Sequence, residues 1–252
     1  MKRLKYFTML LVSVSFLPAC QQQNSTDPEE KSLNPGLLSK PELYMTRRIN
    51  SIAEAIESPD STIKLALYQQ KLGEVPAEIA GLKQIQSLGL SWNNLTEVPA
   101  FLGDLPLLQS IHLSHNRFEE IPVNLLKIQN LQYLLMSNNE IKQIPVYINR
   151  FYHLKELDLS GNPIEKIPDR LYRLSALEVL VMGDTGIKKI SPEICKLTRL
   201  RVLDIRNTNV KDLPDCLFEI SSIQTLRLKN SGITSGQVET WKETRPDISF
   251  EF

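Results

Sequence analysis

Apolar residues along this chain recur in one fixed phase. One stretch runs Leu154, Leu157, Leu159, Asn162, Ile164, Ile167, Pro168, Leu171 and Leu174, and the phase restarts at Leu177. Eight copies begin at Thr62, Ile85, Leu108, Leu131, Leu154, Leu177, Leu200 and Ile223, each 23 residues after the last with no insertion or deletion. The Leu-x-Leu alternation in each copy has the period of a strand, with Leu157 and Leu159 facing inward and Asp158 outward. The Ile-Pro-x-x-Leu-x-x-Leu that follows, as in Ile121, Pro122, Leu125 and Ile128, predicts a short helical turn of α or 3₁₀ type opened by proline. One strand and one turn cannot bury such a row alone. Copies must therefore stack, and their core becomes continuous and nearly one-dimensional.

Polar positions keep the same step. Asn93, Asn116, Asn139 and Asn162 form a ladder that extends at the same spacing to Gln70, Thr185, Thr208 and Ser231. After each strand the chain turns inward and leaves backbone N–H and C=O groups without sheet partners. A side-chain amide supplies two donors and an acceptor for them, whereas a hydroxyl supplies one donor, so the last three rungs are expected to hold less firmly. A period of this size with an L-x-x-L-x-L-x-x-N core resembles the leucine-rich repeat. That resemblance implies an α/β fold, a right-handed solenoid curved into a horseshoe with a parallel sheet on its concave face.

The ends carry other signals. Lys2, Arg3 and Lys5 precede a short apolar stretch, Tyr6 to Leu17, so residues 1–19 read as an export signal, too short for the ~20 apolar residues of a membrane span. Leu17-Pro18-Ala19-Cys20 resembles a bacterial lipobox, which implies cleavage before Cys20 and acylation of that cysteine as a membrane anchor. Gln21 after the cysteine implies passage to the outer membrane, and the late first acidic residue, Asp27, favours its periplasmic side over the cell surface. Residues 20–40 are polar and rich in turn formers, as expected of a flexible tether. Residues 41–61 predict an amphipathic helix capping the first turn, residues 62–234 the eight repeats, and residues 235–252 a helix and final strand closing the core.

Charge excludes one class of partner. The whole chain is formally neutral, and loss of the three basic residues of the signal leaves −3, with no basic run suited to nucleic acid. Cys195 and Cys216 fall at positions nineteen and seventeen of adjacent copies, which leaves open a disulfide or two separate thiols.

Candidate chemistry lies on the outward strand positions, which the resemblance places on the concave face. These positions include Tyr68, Trp92, His112, His115, Tyr133, Leu135, Glu156, Asp158, Val179, Val181, Val202, Asp204, Arg206 and Arg227. Leu135, Val179, Val181 and Val202 beside Tyr133 make an apolar strip of the kind that anchors a protein or peptide. Tyr68, Trp92 and Tyr133 instead suit a glycan, whose rings stack on aromatic faces. A third reading is a structural part of an envelope assembly. His112 and His115, with Ser110 near and Asp158 two copies away, are too dispersed for a triad and lack a third metal ligand, so both are expected as solvated surface groups. Neither a cofactor nor an enzymatic module is expected.

Overall fold

The computed structural model describes Asn34 and residues 36–252; the expected export signal, Cys20 and the start of the polar stretch lie outside them. Nine strands form one parallel sheet in chain order: β1 (Lys64–Ala66), β2 (Ser87–Gly89), β3 (Ser110–His112), β4 (Tyr133–Leu135), β5 (Glu156–Asp158), β6 (Val179–Val181), β7 (Val202–Asp204), β8 (Thr225–Arg227) and β9 (Ser249–Glu251). Register follows the sequence period, Lys64 opposite Ser87 and so on to Val202 opposite Thr225, and slips by one residue only at the last pair, Thr225 opposite Ser249. A short 3₁₀ turn follows each of β1 to β8 except the last, with a proline directly ahead of it in most copies. The inward leucines and isoleucines are buried in one core running from Ile49 to Ile248.

The asparagine ladder closes the backbone as its chemistry demands. Asn139 Nδ2 donates to the carbonyls of Leu113 and Met136 at 3.0 Å, and its Oδ1 accepts from the Phe118 N–H at 3.1 Å. Each carbonyl is shared: Leu113 also receives Asn116, and Met136 also receives Asn162, so neighbouring copies are laced together. Thr185 and Thr208 make only the bond within their own copy, to Met182 and Ile205. Where Thr185 replaces the amide, the Ile164 N–H turns to the carbonyl of Asn162 instead of reaching the next copy. Asn139→Leu removes the acceptor of a buried N–H and is expected to cost on the order of 1–3 kcal/mol, read as a fall in the denaturation midpoint. An unchanged midpoint would remove this account of the ladder.

The amino-terminal end is built differently from the single capping helix expected over 41–61. Two short helices, α1 (Lys40–Met45) and α2 (Ile52–Glu57), flank an extended break in which Ile49 bridges to Leu65 in parallel. Backbone pairing of Ile49 with Lys64 and Ala66 adds a partial rung ahead of β1, and that demand interrupts the helix. At the other end α3 (Ser235–Thr244) starts with a capping box between Thr234 and Gln237. It buries Val238 and lays Trp241 against Phe218, ring centroids 5.0 Å apart. Cys195 and Cys216 are disulfide-bonded, with Cα atoms 5.9 Å apart.

Candidate functional site

Outward strand positions align into rows because every copy has the same length. The first row starts Lys64, Ser87, Ser110, Tyr133, Glu156 and continues through Val179, Val202 and Thr225; the second includes Gly89, His112, Leu135, Asp158, Val181, Asp204 and Arg227. Beyond the strands comes a rim row in the left-handed region, including Trp92 at φ 62°, His115 at φ 56° and Gly161 at φ 66°. This conformation is costly for residues with a Cβ and persists because the turn into the asparagine requires it.

The amino-terminal half of this face is covered by the chain itself. Residues 36–45 cross it, so the end of the expected tether is bound rather than free. Lys40 pairs with Glu156, and its ammonium sits 5.4 Å from the centroid of the Tyr133 ring. Lys64 Nζ donates to the carbonyls of Leu43 and Tyr44 at 3.0 and 3.3 Å, at the carboxyl end of α1. Tyr133 is left only 8% exposed, which removes it from the set of ligand contacts available in this state. His112 differs from the expected solvated group. Burial pushes its ring down to about 4, with Glu156 acting upward and Lys64 and Lys40 downward, and its Nε2 lies 3.1 Å from Ser110 Oγ.

The carboxyl-terminal half is open. Val179, Val181 and Val202 are half-buried there on β6 and β7, and Leu135 is half-buried on β4 at its edge, with Glu156 and Asp158 of β5 between. Charges beside them are fixed by local partners. Asp158 accepts from the Ser160 N–H and hydroxyl at 2.9 and 2.6 Å, yet burial still raises its carboxyl above the usual range. Asp204 is fully buried and holds Arg206 by a bidentate contact, 3.0 Å from Nε and 2.7 Å from the terminal nitrogen. Arg227 reaches Glu251 at 2.9 Å and Asp204 at 3.9 Å.

The expected aromatic set is split. Trp92 is 53% exposed but stacks one face on His115, centroids 3.6 Å apart and planes 13° from parallel. Tyr68 lies half-buried over Gly89, where a Cβ would fall 2.5 Å from its hydroxyl, so only glycine fits under it. Among the outward candidates, the structure brings Leu135, Asp158 and Val181 together on neighbouring strands, with Arg206 beyond them. Tyr68, Trp92 and His115 lie at the far rim, and His112 and Tyr133 lie in the covered half.

A second ladder escaped the sequence reading. Gln86, Gln109 and Gln132 recur at the same 23-residue step just before their strands and are almost fully buried. Their amides are chained, Gln132 Nε2 to Gln109 Oε1 at 2.8 Å and Gln109 Nε2 to Gln86 Oε1 at 2.9 Å. The signal was present in the spacing, since buried amides at one phase require partners just as the asparagines do. Among the described residues, no three His, Cys, Asp or Glu side chains converge as a metal site would need, and no helix is long and apolar enough to cross a membrane.

Parallel strands at one repeat length, shared asparagine rungs and 3₁₀ turns define a leucine-rich-repeat solenoid. The model of a leucine-rich repeat region matches residues 143–244 and that of the leucine rich repeat matches 106–164; the chain belongs to the leucine-rich-repeat proteins. Comparison with curated proteins gave no match. A leucine-rich-repeat protein of Leptospira interrogans is 25% identical with a TM-score of 0.64, over 82% of this chain and 58% of that one. This chain thus spans little more than half of that protein's length. The ectodomain of the receptor kinase GASSHO1/SCHENGEN3 of Arabidopsis thaliana, in complex with Casparian strip integrity factor 2, is 29% identical with a TM-score of 0.55, over 63% of this chain and 20% of that one. A plant peptide hormone receptor in complex with RGF2 is 27% identical with a TM-score of 0.53, over 66% and 32%. The fold is one that commonly mediates protein binding and is typically non-catalytic.

Proposed function

We propose that this protein is a non-enzymatic binding module, anchored by lipid at Cys20 to the outer membrane on its periplasmic side, that grips a protein or peptide on its sheet face. The observation that carries the reading is the open strip Leu135, Val179, Val181 and Val202. Its apolar side chains lie on strands fixed from both sides, next to carboxylates and arginines already held in place. Such a surface presents its groups without paying to order them on binding. Complexes of two plant receptors of the same fold support a protein or peptide ligand. A glycan draws support from Trp92 alone among its three expected aromatics, since Tyr133 is buried and Tyr68 half-buried.

The test is affinity capture from envelope extract with the full chain and with Leu135→Glu/Val181→Glu, both half-buried positions outside the core. A partner held by the wild type and lost by the folded variant is the expected result. Equal capture by both moves the site off this strip. Anchoring is read separately: Cys20→Ser is expected to abolish incorporation of a labelled fatty acid and to release the protein from the membrane fraction. A variant that remains labelled excludes acylation at that cysteine.

A further inference from the structure

We propose that residues 36–45 occupy, within the molecule, a groove that reads the main chain of an extended peptide leading into a short helix, and that a partner segment bearing a basic residue takes their place. This inference rests on the reading of the sheet face as a protein- or peptide-binding surface and names the chemistry of what binds its covered half.

Contacts between this strap and the repeats are directed at backbone. The Leu38 N–H donates to Gln86 Oε1 at 2.8 Å, Gln109 Nε2 donates to the Leu38 carbonyl at 2.9 Å, and Gln86 Nε2 reaches the Gly36 carbonyl at 3.2 Å. Four residues back, the Asn34 N–H donates to Asn130 Oδ1 at 3.2 Å. Paired donors and acceptors set for both groups of one residue accept any amino acid at that position, as in strand addition to a sheet edge. The ladder behind them fixes the amides, since Gln132 Nε2 engages Gln109 Oε1. Gln109 has no exposed surface, so its amide needs a partner whenever the groove is dry.

Side-chain selection comes after the main-chain segment. Lys40 places its ammonium between the Glu156 carboxylate and the face of Tyr133, a combined ion-pair and cation–π seat that a hydrophobic residue cannot use. Leu43, three residues on, is buried, whereas Tyr44 and Met45 are each 81% exposed. The peptide that fits therefore carries lysine or arginine and, a helical turn later, a leucine-like side chain.

The strap is held as a ligand is held. Leu43 is the one buried side chain of residues 36–45 and stands apart from the continuous core cluster, which begins at Ile49; the other anchors are main-chain hydrogen bonds, one ion pair and the lysine bonds to the end of α1. A permanent cap is built the other way, as α3 is with Val238 in the core.

The experiment uses the full chain and a fluorescent synthetic peptide with the sequence of residues 34–46. Binding is compared between the wild type and a strap variant, Lys40→Glu/Leu43→Asp. The variant is expected to bind the peptide at least tenfold more tightly, because its own strap competes less. Glu156→Lys, placed beside Lys40→Ala/Leu43→Asp so that the strap itself offers no charge at position 40, is expected to weaken the wild-type peptide at least tenfold and to restore a peptide carrying Lys40→Glu. Hydrogen exchange on the wild type gives a reading that needs no variant: the Leu38 amide is expected to exchange at least a hundredfold faster than the amides of the core strands. Equal or absent peptide binding in wild type and variant overturns the proposal, as does a Leu38 amide that opens only with the whole fold, or a strap exchanged between two copies in a concentration-dependent dimer. Equal capture by the wild type and Leu135→Glu/Val181→Glu, with peptide binding intact, sinks the apolar-strip reading alone, and strip-dependent capture without peptide binding sinks the strap alone.

Discussion

Breaking the Cys195–Cys216 bridge is expected to lower stability by about 3 kcal/mol, the chain-entropy value for a closed loop of roughly twenty residues. The bridge joins the 3₁₀ turns Pro192–Lys196 and Asp215–Glu219 of neighbouring copies, on the side of the solenoid away from the strands. Because each copy contacts only its neighbours, the loss is expected to concentrate in the last three copies. Those copies carry Thr185, Thr208 and Ser231 in place of asparagine, and the two threonines make one bond each where an asparagine makes several. The covalent link thus stands where the amide ladder is weakest. Urea denaturation with and without reductant, on the wild type and on Cys195→Ser/Cys216→Ser, provides the measurement. The reduced wild type and the double variant are expected to share one lowered midpoint; a midpoint indifferent to reductant would show that the bridge contributes nothing. A stabilising disulfide is at home in the oxidising compartment that export would supply.

Acidification is expected to destabilise the covered half of the sheet face by up to about 3 kcal/mol through His112. Its ring titrates at about 4 in the folded chain because burial penalises the imidazolium, against 6.5 when free. The unfolded chain therefore takes up the proton first. Stability is complete above about pH 6.5 and falls as the pH drops towards 4. The charged groups facing the ring are Glu156, Lys64 and Lys40, of which Lys40 belongs to the strap and Glu156 and Lys64 hold it. Release of the strap rehydrates the imidazole without unfolding the repeats, so the strap opens first. Asp158 acts in the opposite sense: its carboxyl is raised by burial, and acid relieves that cost nearer the carboxylate range. Protection of the strap amides, taken relative to the intrinsic exchange rate at each pH, is expected to fall from pH 7 to pH 5 in the wild type and to change far less in His112→Gln. Parallel pH profiles in the two proteins would assign the effect to another group.

The repeat architecture was legible because every copy solves one burial problem at one length. Leu157 and its equivalents must meet their neighbours in register, so the period in the sequence is the register of the sheet. Asn93 to Asn162 were legible for a related reason, since their bonds close the backbone of their own and the adjoining copy. Gln86, Gln109 and Gln132 carried the same signal: they bond to one another within the repeats, and only Gly36 and Leu38 at the end of that chain lie outside.

Local pattern therefore settled everything that repeats: strands, turns, rungs and the core that joins them. Folding in three dimensions settled what occurs once. Leu38 meets Gln109 across 71 residues and Lys40 meets Glu156 across 116, and neither pairing leaves a trace in the composition of residues 34–45. His112 reads as a solvated group and Tyr133 as a ligand contact, and neither the half-burial of the one nor the burial of the other on that face could be read from the strand pattern. The cysteines at positions nineteen and seventeen met only because their two turns bring the Cα atoms within 5.9 Å. A periodic contact is written at every copy and reinforces itself, whereas a single long-range contact depends on surfaces that exist only after the copies have stacked.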